Sequence, residues 1–217
     1  MPEGLSFDEL NKLYEDERDG DLRSMSYQQF FGEMDLSKTQ KENRIRTAGK
    51  IYGFTVEALM ALYYMVQDGG WLGYEEIAED MKKSYSDMLL KLGIPFTAVF
   101  DATHVEEAVS EIMDATLRHT DDPYFFSRDR AKLIAENEAN SVWNDSEYQD
   151  AITSGKSMKT WHTMRDKRVR ATHTEVEGVT IPINEYFQVG QALLLYPRMA
   201  CEFPEEIVNC RCSVSYS

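Results

Sequence analysis

The spacing of apolar residues changes once along this chain, near Gly155, and the change divides what the chain can fold into. Before it, apolar side chains recur three and four positions apart: Leu10, Leu13 and Tyr14, then Ile51, Phe54 and Leu59 with Val56, Leu62 and Tyr63. Such a stripe buries one face of a helix. After it, short runs alternate apolar with polar residues between Gly and Pro punctuation, as half-buried strands do. The expected class is α+β: a mainly helical region over 1–150, followed over 151–217 by a small α+β domain with a short β-sheet.

Cap chemistry sharpens the helical half. A long helix over 38–66 opens after Asp35 and Ser37, both good N-cap types, and stops at Gly69-Gly70; Gly49 and Gly53 weaken its middle. A second helix over 74–92 ends at Gly93, with Pro95 beyond. A third covers 105–118, and a fourth starts near Ser127. Strands are expected over 157–163, 192–196 and 211–216, with a turn at Glu177-Gly178 and an irregular loop between Pro197 and Pro204.

Net charge is −15 and unevenly placed. Residues 151–217 hold eight Lys/Arg against seven Asp/Glu, which leaves 15 basic against 31 acidic groups in the first 150. An acidic surface of that kind repels phosphate, so nucleic-acid binding through the helical region is not expected. The longest apolar stretch, around 58–66, is too short for a bilayer, which needs about 20 residues. Three cysteines and no recognisable secretory leader make a reducing compartment the expectation.

Two of those cysteines stand one residue apart, in Asn209-Cys210-Arg211-Cys212. On a strand they point to one face, where their sulfurs can grip one partner. With His173 they form a ligand set that suits zinc, and His162, Asp166 or Cys201 could complete it. Free cysteine is also among the most buried residue types, so a packed core explains the pair as well. A second cluster comprises Trp161, Asp166, Arg168, Arg170 and His173. If 168–177 is a short helix, Asp166 pairs with Arg168 or Arg170 to join strand to helix. Its catalytic alternative makes His162 or His173 a general base with Arg168, Arg170 or Lys159 holding a phosphate. The chain has no phosphate loop, dinucleotide turn, Gly-x-Ser-x-Gly or His-Glu-x-x-His, and no catalytic activity is expected.

Taken in order, Trp161, Asp166, Arg168, Arg170, His173, Gly178, Phe187, Pro197, Pro204, Glu206 and Asn209-Cys210-Arg211-Cys212 resemble the C-terminal domain of the phage Mu F type minor head proteins, the head-morphogenesis family. Segment 129–138, with Arg130-Ala131, Ile134-Ala135 and Glu138, is similar to the helix that precedes this domain. The loop at 196–204 departs from the family's Pro-Gly-Asp-Pro pattern and supplies Cys201. The resemblance implies a minor head protein of a tailed phage or prophage, acting in head assembly and at the portal, and in DNA packaging or ejection. It implies the portal protein and the major capsid protein as partners. It also implies a place inside the virion head near the portal, with the host cytoplasm as the site of assembly. Trp161, Asp166, Arg168, Arg170, Asn209 and Arg211 are the structural motif in this reading, with residues 1–150 docking and 151–217 as the family domain. A nuclease-like phage effector using His162 and His173 with Arg168 and Arg170 is the alternative.

Overall fold

The computed structural model describes residues 6–16, 27–68, 72–94 and 102–217. Its elements run α1 (Phe7–Asp16), α2 (Tyr27–Gly32), α3 (Lys38–Asp68), α4 (Tyr74–Leu92), α5 (Ala102–Arg118), a 3-10 turn (Pro123–Phe126), α6 (Arg128–Thr153), β1 (Met158–His162), α7 (Ala171–Thr174), β2 (Thr180–Pro182), β3 (Phe187–Val189), β4 (Ala192–Leu194), α8 (Pro204–Ile207) and β5 (Ser213–Tyr216). This is the expected α+β order. The side chains of Leu13 and Tyr14, the Gly69-Gly70 stop and Pro95 lie outside the described residues.

The cap signals act as the sequence implies. The Ser37 hydroxyl accepts from Gln40 N at 3.3 Å while Gln40 Oε1 accepts from Ser37 N at 2.9 Å, a reciprocal capping box at the head of α3. The helix then runs unbroken through Gly49 and Gly53. Gly93 takes φ 68° and its N–H returns to the last carbonyls of α4; only glycine enters that region without strain. Ser127 caps α6 by accepting from Arg130 N at 3.1 Å.

The chain forms two compact units. The first comprises α1, most of α3, α4, α5, the 3-10 turn and the start of α6. Its α4 and α5 pack antiparallel, as the pairs Tyr74–Asp114 and Lys82–Glu106 require. Met81, Met88 and Met113 on these helices are buried, the core role expected of methionine. Arg130 is buried here: it donates to Thr116 Oγ1 (2.5 Å), Phe125 O (2.8 Å) and Ile112 O (2.9 Å) and lies over the Phe125 ring. It thereby ties α5 to the 3-10 turn through groups of Ile112, Thr116 and Phe125. Burial pushes its pKa down to about 10.

The second unit holds α2, the start of α3, the rest of α6 and everything after it. Its sheet has order β2-β1-β5, antiparallel throughout, and β3 and β4 form a separate hairpin. Trp161 pairs with Val214 across β1 and β5, over a core of Phe187, Val189, Leu194, Cys210 and Cys212. The polar counterpart of this core lies on α6. Arg44, fully buried, donates to Asn140 Oδ1 (3.0 Å) and Asn144 Oδ1 (2.9 Å), and forms a bidentate pair with Glu147 at 2.6 and 3.0 Å. Asn140 Nδ2 in turn donates to Cys210 O (3.2 Å) and Asn144 Nδ2 to Pro197 O (3.0 Å).

Because Arg44 is the charge at the centre of that network, Arg44→Leu leaves Glu147 and two amide oxygens without their donor. We expect a loss of roughly 3–5 kcal/mol in urea unfolding. A loss under about 1 kcal/mol would place the network's strength elsewhere.

Candidate metal centre

Three segments bring the site together. β1 carries Trp161, whose buried indole packs edge-on against the His173 and Phe187 rings, with centroids 6.0 and 5.1 Å away. The turn after α7 returns to this strand: Gly178 N donates to Trp161 O (2.8 Å) and Trp161 N to Val179 O (3.1 Å). Gly178 has φ 72°, which the turn requires and a side chain resists. α7 itself spans only Ala171–Thr174, with extended Arg170 at its N-cap. The expected helix over 168–177 is therefore corrected to a single turn. Asp166 accounts for the difference: its carboxylate accepts from Arg168 N at 2.9 Å and holds a separate turn ahead of α7.

The cysteines are also placed differently from the expectation. β5 starts at Ser213, so neither Cys210 nor Cys212 belongs to the strand. Asn209 is left-handed at φ 56°, and Cys212 N–H points at Cys210 Sγ, 3.5 Å away. A local turn rather than strand pleating gathers the two sulfurs. His173 Nδ1 meets both of them, at 3.3 Å from Cys212 Sγ and 3.6 Å from Cys210 Sγ. All three residues are buried, and their ligand atoms lie within 4.8 Å of one another, so the group could hold a metal ion. A tetrahedral zinc with bonds of about 2.3 Å to sulfur and 2.0 Å to nitrogen sets its N···S edge near 3.6 Å. The side chains already stand at that spacing.

Electrostatics suit a cation. The Cys210 thiol is pushed well below its ordinary value, first by its hydrogen bond with Cys212 and then by His173, against the effect of burial. Cys212 is pushed up by the same bond and by burial. Burial lowers the His173 pKa, but the Cys210 hydrogen bond and charge, with Glu206 adding to them, leave it raised overall.

Glu206 on α8 is the site residue whose role the sequence did not disclose. Its Oε2 lies 3.2 Å from His173 Nε2 and accepts from Thr172 Oγ1 at 2.8 Å. A carboxylate behind the outer ring nitrogen is the usual support of a metal-binding histidine. Gly190, at φ +57°, makes room for it: a Cβ there would stand 2.1 Å from Glu206 Oε1. In the sequence Glu206 stood only as one member of the ordered series that carries the family resemblance, with no role of its own. Asn140, which holds the Cys210 carbonyl, gave no sequence signal of its own.

The remaining predicted residues divide cleanly. Arg211 Nη2 bridges both oxygens of Asp166 at 2.7 and 2.8 Å, and Arg168 reaches the same carboxylate at 3.1 Å. The expected strand-to-helix ion pair is thus corrected to a local pair in the segment between β1 and α7, which Arg211 ties to the cysteine segment. Although burial opposes it, these guanidiniums hold the Asp166 carboxyl below its usual range. Arg170 donates to Val208 O, and Asn209 Oδ1 accepts from Asn137 at 2.8 Å. His162 faces away from His173: it neighbours Trp161 on β1, and adjacent strand residues point to opposite faces. Its Nε2 meets Ser215 Oγ at 2.7 Å. Cys201 Sγ donates to Phe203 O at 3.4 Å. Lys159 is buried, bonded to Leu195 O and set over the Tyr148 and Phe187 rings, and burial pushes it down to about 8. Of the possible fourth ligands, neither His162, Asp166 nor Cys201 joins the group of three among the described residues.

The family model of Phage Mu protein F like protein matches residues 66–215. The chain belongs to this family, which makes it a phage head-morphogenesis protein. No curated protein and no solved structure matches it. Among the described residues, no helix is long and apolar enough to cross a membrane.

The raised His173 value fixes a sign. In the metal-free protein this histidine contributes stability that is full below its unfolded value of about 6.5 and is lost as pH rises through the folded one. Glu206→Gln removes one raising charge, so the His173 ring resonances in an NMR titration move to a lower midpoint. An unchanged midpoint would remove Glu206 from the site.

Proposed function

We propose that this chain is a minor head protein of a tailed phage or prophage, acting in head assembly at the portal and in DNA packaging or ejection. The observation that carries the reading is the family match over residues 66–215. In this reading residues 1–150 are the acidic docking region for the portal and the major capsid protein. Residues 151–217 are the compact family domain, and the protein resides inside the head, after assembly in the host cytoplasm. An acidic region suits a protein enclosed with packaged DNA, because it does not adhere to the phosphate backbone.

The same reading makes the chain a structural component without turnover. Its polar motif residues are bound to one another or to backbone carbonyls: Asp166 to Arg168 and Arg211, Arg170 to Val208 O. The nuclease-like alternative needs His162 and His173 in one pocket, and β1 turns His162 to the face opposite Trp161, against which His173 packs. His173, Cys210 and Cys212 form a zinc site that fastens α7 to the segment before β5.

Co-expression with the portal protein of the same phage tests the assembly role. A stable complex should elute together on a sizing column, and clean separation of the two would count against the reading. Elemental analysis tests the zinc site independently. About one zinc per chain is expected, lost in the double variant Cys210→Ser, Cys212→Ser; metal-free protein from a chelator-free preparation would return both thiols to the core.

A further inference from the structure

On the face of β1 opposite Trp161, side chains from three segments of the second unit meet. His162 Nε2 lies 2.7 Å from Ser215 Oγ on β5, and its Nδ1 lies 3.6 Å from Asp35 Oδ2 in the turn before α3. Ser213 Oγ donates to Asp35 O at 3.3 Å, which fastens that turn to the sheet. His162 Nδ1 is shut off from solvent and has no hydrogen-bond partner among the described residues. A buried polar atom in that state is rare in a folded protein.

An ionised carboxylate only accepts, so Asp35 favours the ring tautomer with its proton on Nδ1. Nε2 is then the acceptor, and the Ser215 hydroxyl donates to it. This is the order of nucleophile, base and orienting acid. The gap to Asp35 exceeds a hydrogen bond, and gaps of this kind commonly tighten only when a substrate is bound.

Ser215 is exposed on the edge strand of its sheet. Against it lies an open cavity of about 420 Å³, lined by Asp35, Leu36, Ser37, Gln40 and Tyr216 as well as Ser215. That size falls among sites for small molecules. Ser37 and Gln40 belong to the head of α3, so the positive end of a long helix borders the space where a carbonyl oxygen would take up charge. Asp35, at the same wall, disfavours an anionic substrate.

We propose that Ser215, His162 and Asp35 form a reactive-serine centre that accepts an acyl group from a small, uncharged carboxylic ester. Ser215 Oγ bonds to the ester carbonyl carbon as its proton passes to His162 Nε2. The bond from that carbon to the alkoxy oxygen then breaks, and the departing alcohol takes the proton. Asp35 orients the ring and balances its positive charge between the two transfers. One acylation per chain needs no turnover, so the centre goes beyond the assembly reading and rests neither on it nor on the zinc site.

The full chain treated with p-nitrophenyl acetate tests this. Peptide mass spectrometry should find about one acetyl group per chain, on Ser215, with release of nitrophenolate in equal amount. Ser215→Ala should abolish the adduct, and His162→Gln should slow it at least about a hundredfold. Asp35→Ala, at an exposed position that keeps its backbone bond to Ser213, should slow it at least about tenfold. In that variant the His162 ring-nitrogen NMR shifts should show the proton moving from Nδ1 toward Nε2, a change that a merely structural Asp35 would not cause. Folded chain acetylated on lysines with Ser215 unmodified would overturn the proposal. So would a Ser215 adduct that forms at the parent rate in either Asp35→Ala or His162→Gln.

Discussion

A buried guanidinium orders the second unit. Arg44 is fully enclosed, and a charge in that position is tolerated only when its donors are met by a counter-charge and well-aligned acceptors. Glu147 supplies the charge, and Asn140 and Asn144 supply the acceptors. Arginine can only donate, so both asparagines must turn their oxygens toward it and their amino groups away. Those amino groups then meet the Cys210 and Pro197 carbonyls. One charge on α3 therefore sets the direction of two hydrogen bonds on the far side of α6. The loop after Pro197 and the cysteine segment are positioned by them.

The candidate centre inherits its geometry from that arrangement. With the Cys210 backbone anchored to α6, left-handed Asn209 turns the chain so that both sulfurs approach His173. Glu206 stands 3.2 Å from the opposite side of the ring, in a place left free because Gly190 has no side chain. Trp161 closes the group from the sheet, and Arg211, gripping Asp166, holds the intervening residue of the cysteine pair. Each of the three side chains thus has a neighbour outside the group, which is the arrangement that preorganises a binding constellation.

The sequence disclosed the parts that local physics governs. Ser37 with Gln40, Gly93 and Ser127 each mark a helix end through a hydrogen bond made within a few residues, so those boundaries were readable. The strands of residues 157–163 and 211–216 followed from alternation, and His173 with Cys210 and Cys212 from ligand chemistry. What escaped depended on residues distant in sequence. Arg44 reads as one more surface charge on α3 until Asn140 and Asn144 are seen opposite it, 96 and 100 residues away. The placement of the cysteines ahead of β5 turned on one left-handed asparagine, which no apolar pattern encodes. His162 and His173 looked equivalent as chemistry, and only the direction of Trp161 on β1 separated them.

The polar residues that carry the family resemblance share one physical task. Arg130 takes up carbonyls of α5 and of the 3-10 turn; Arg170 takes that of Val208; Asp166 joins Arg168 to Arg211; Asn209 meets Asn137. Short elements need this kind of support. α7 and α8 have four residues each, too few to satisfy their own backbone groups, and the sheet strands have three to five. A domain built from such pieces gains its rigidity from side chains that reach across loops, and arginine, with five donors in a fixed fork, reaches furthest. The ordered polar series is therefore better understood as the frame of a small domain than as a reactive constellation. Within that frame His173, Cys210 and Cys212 form the group whose converging side-chain atoms could hold a metal ion.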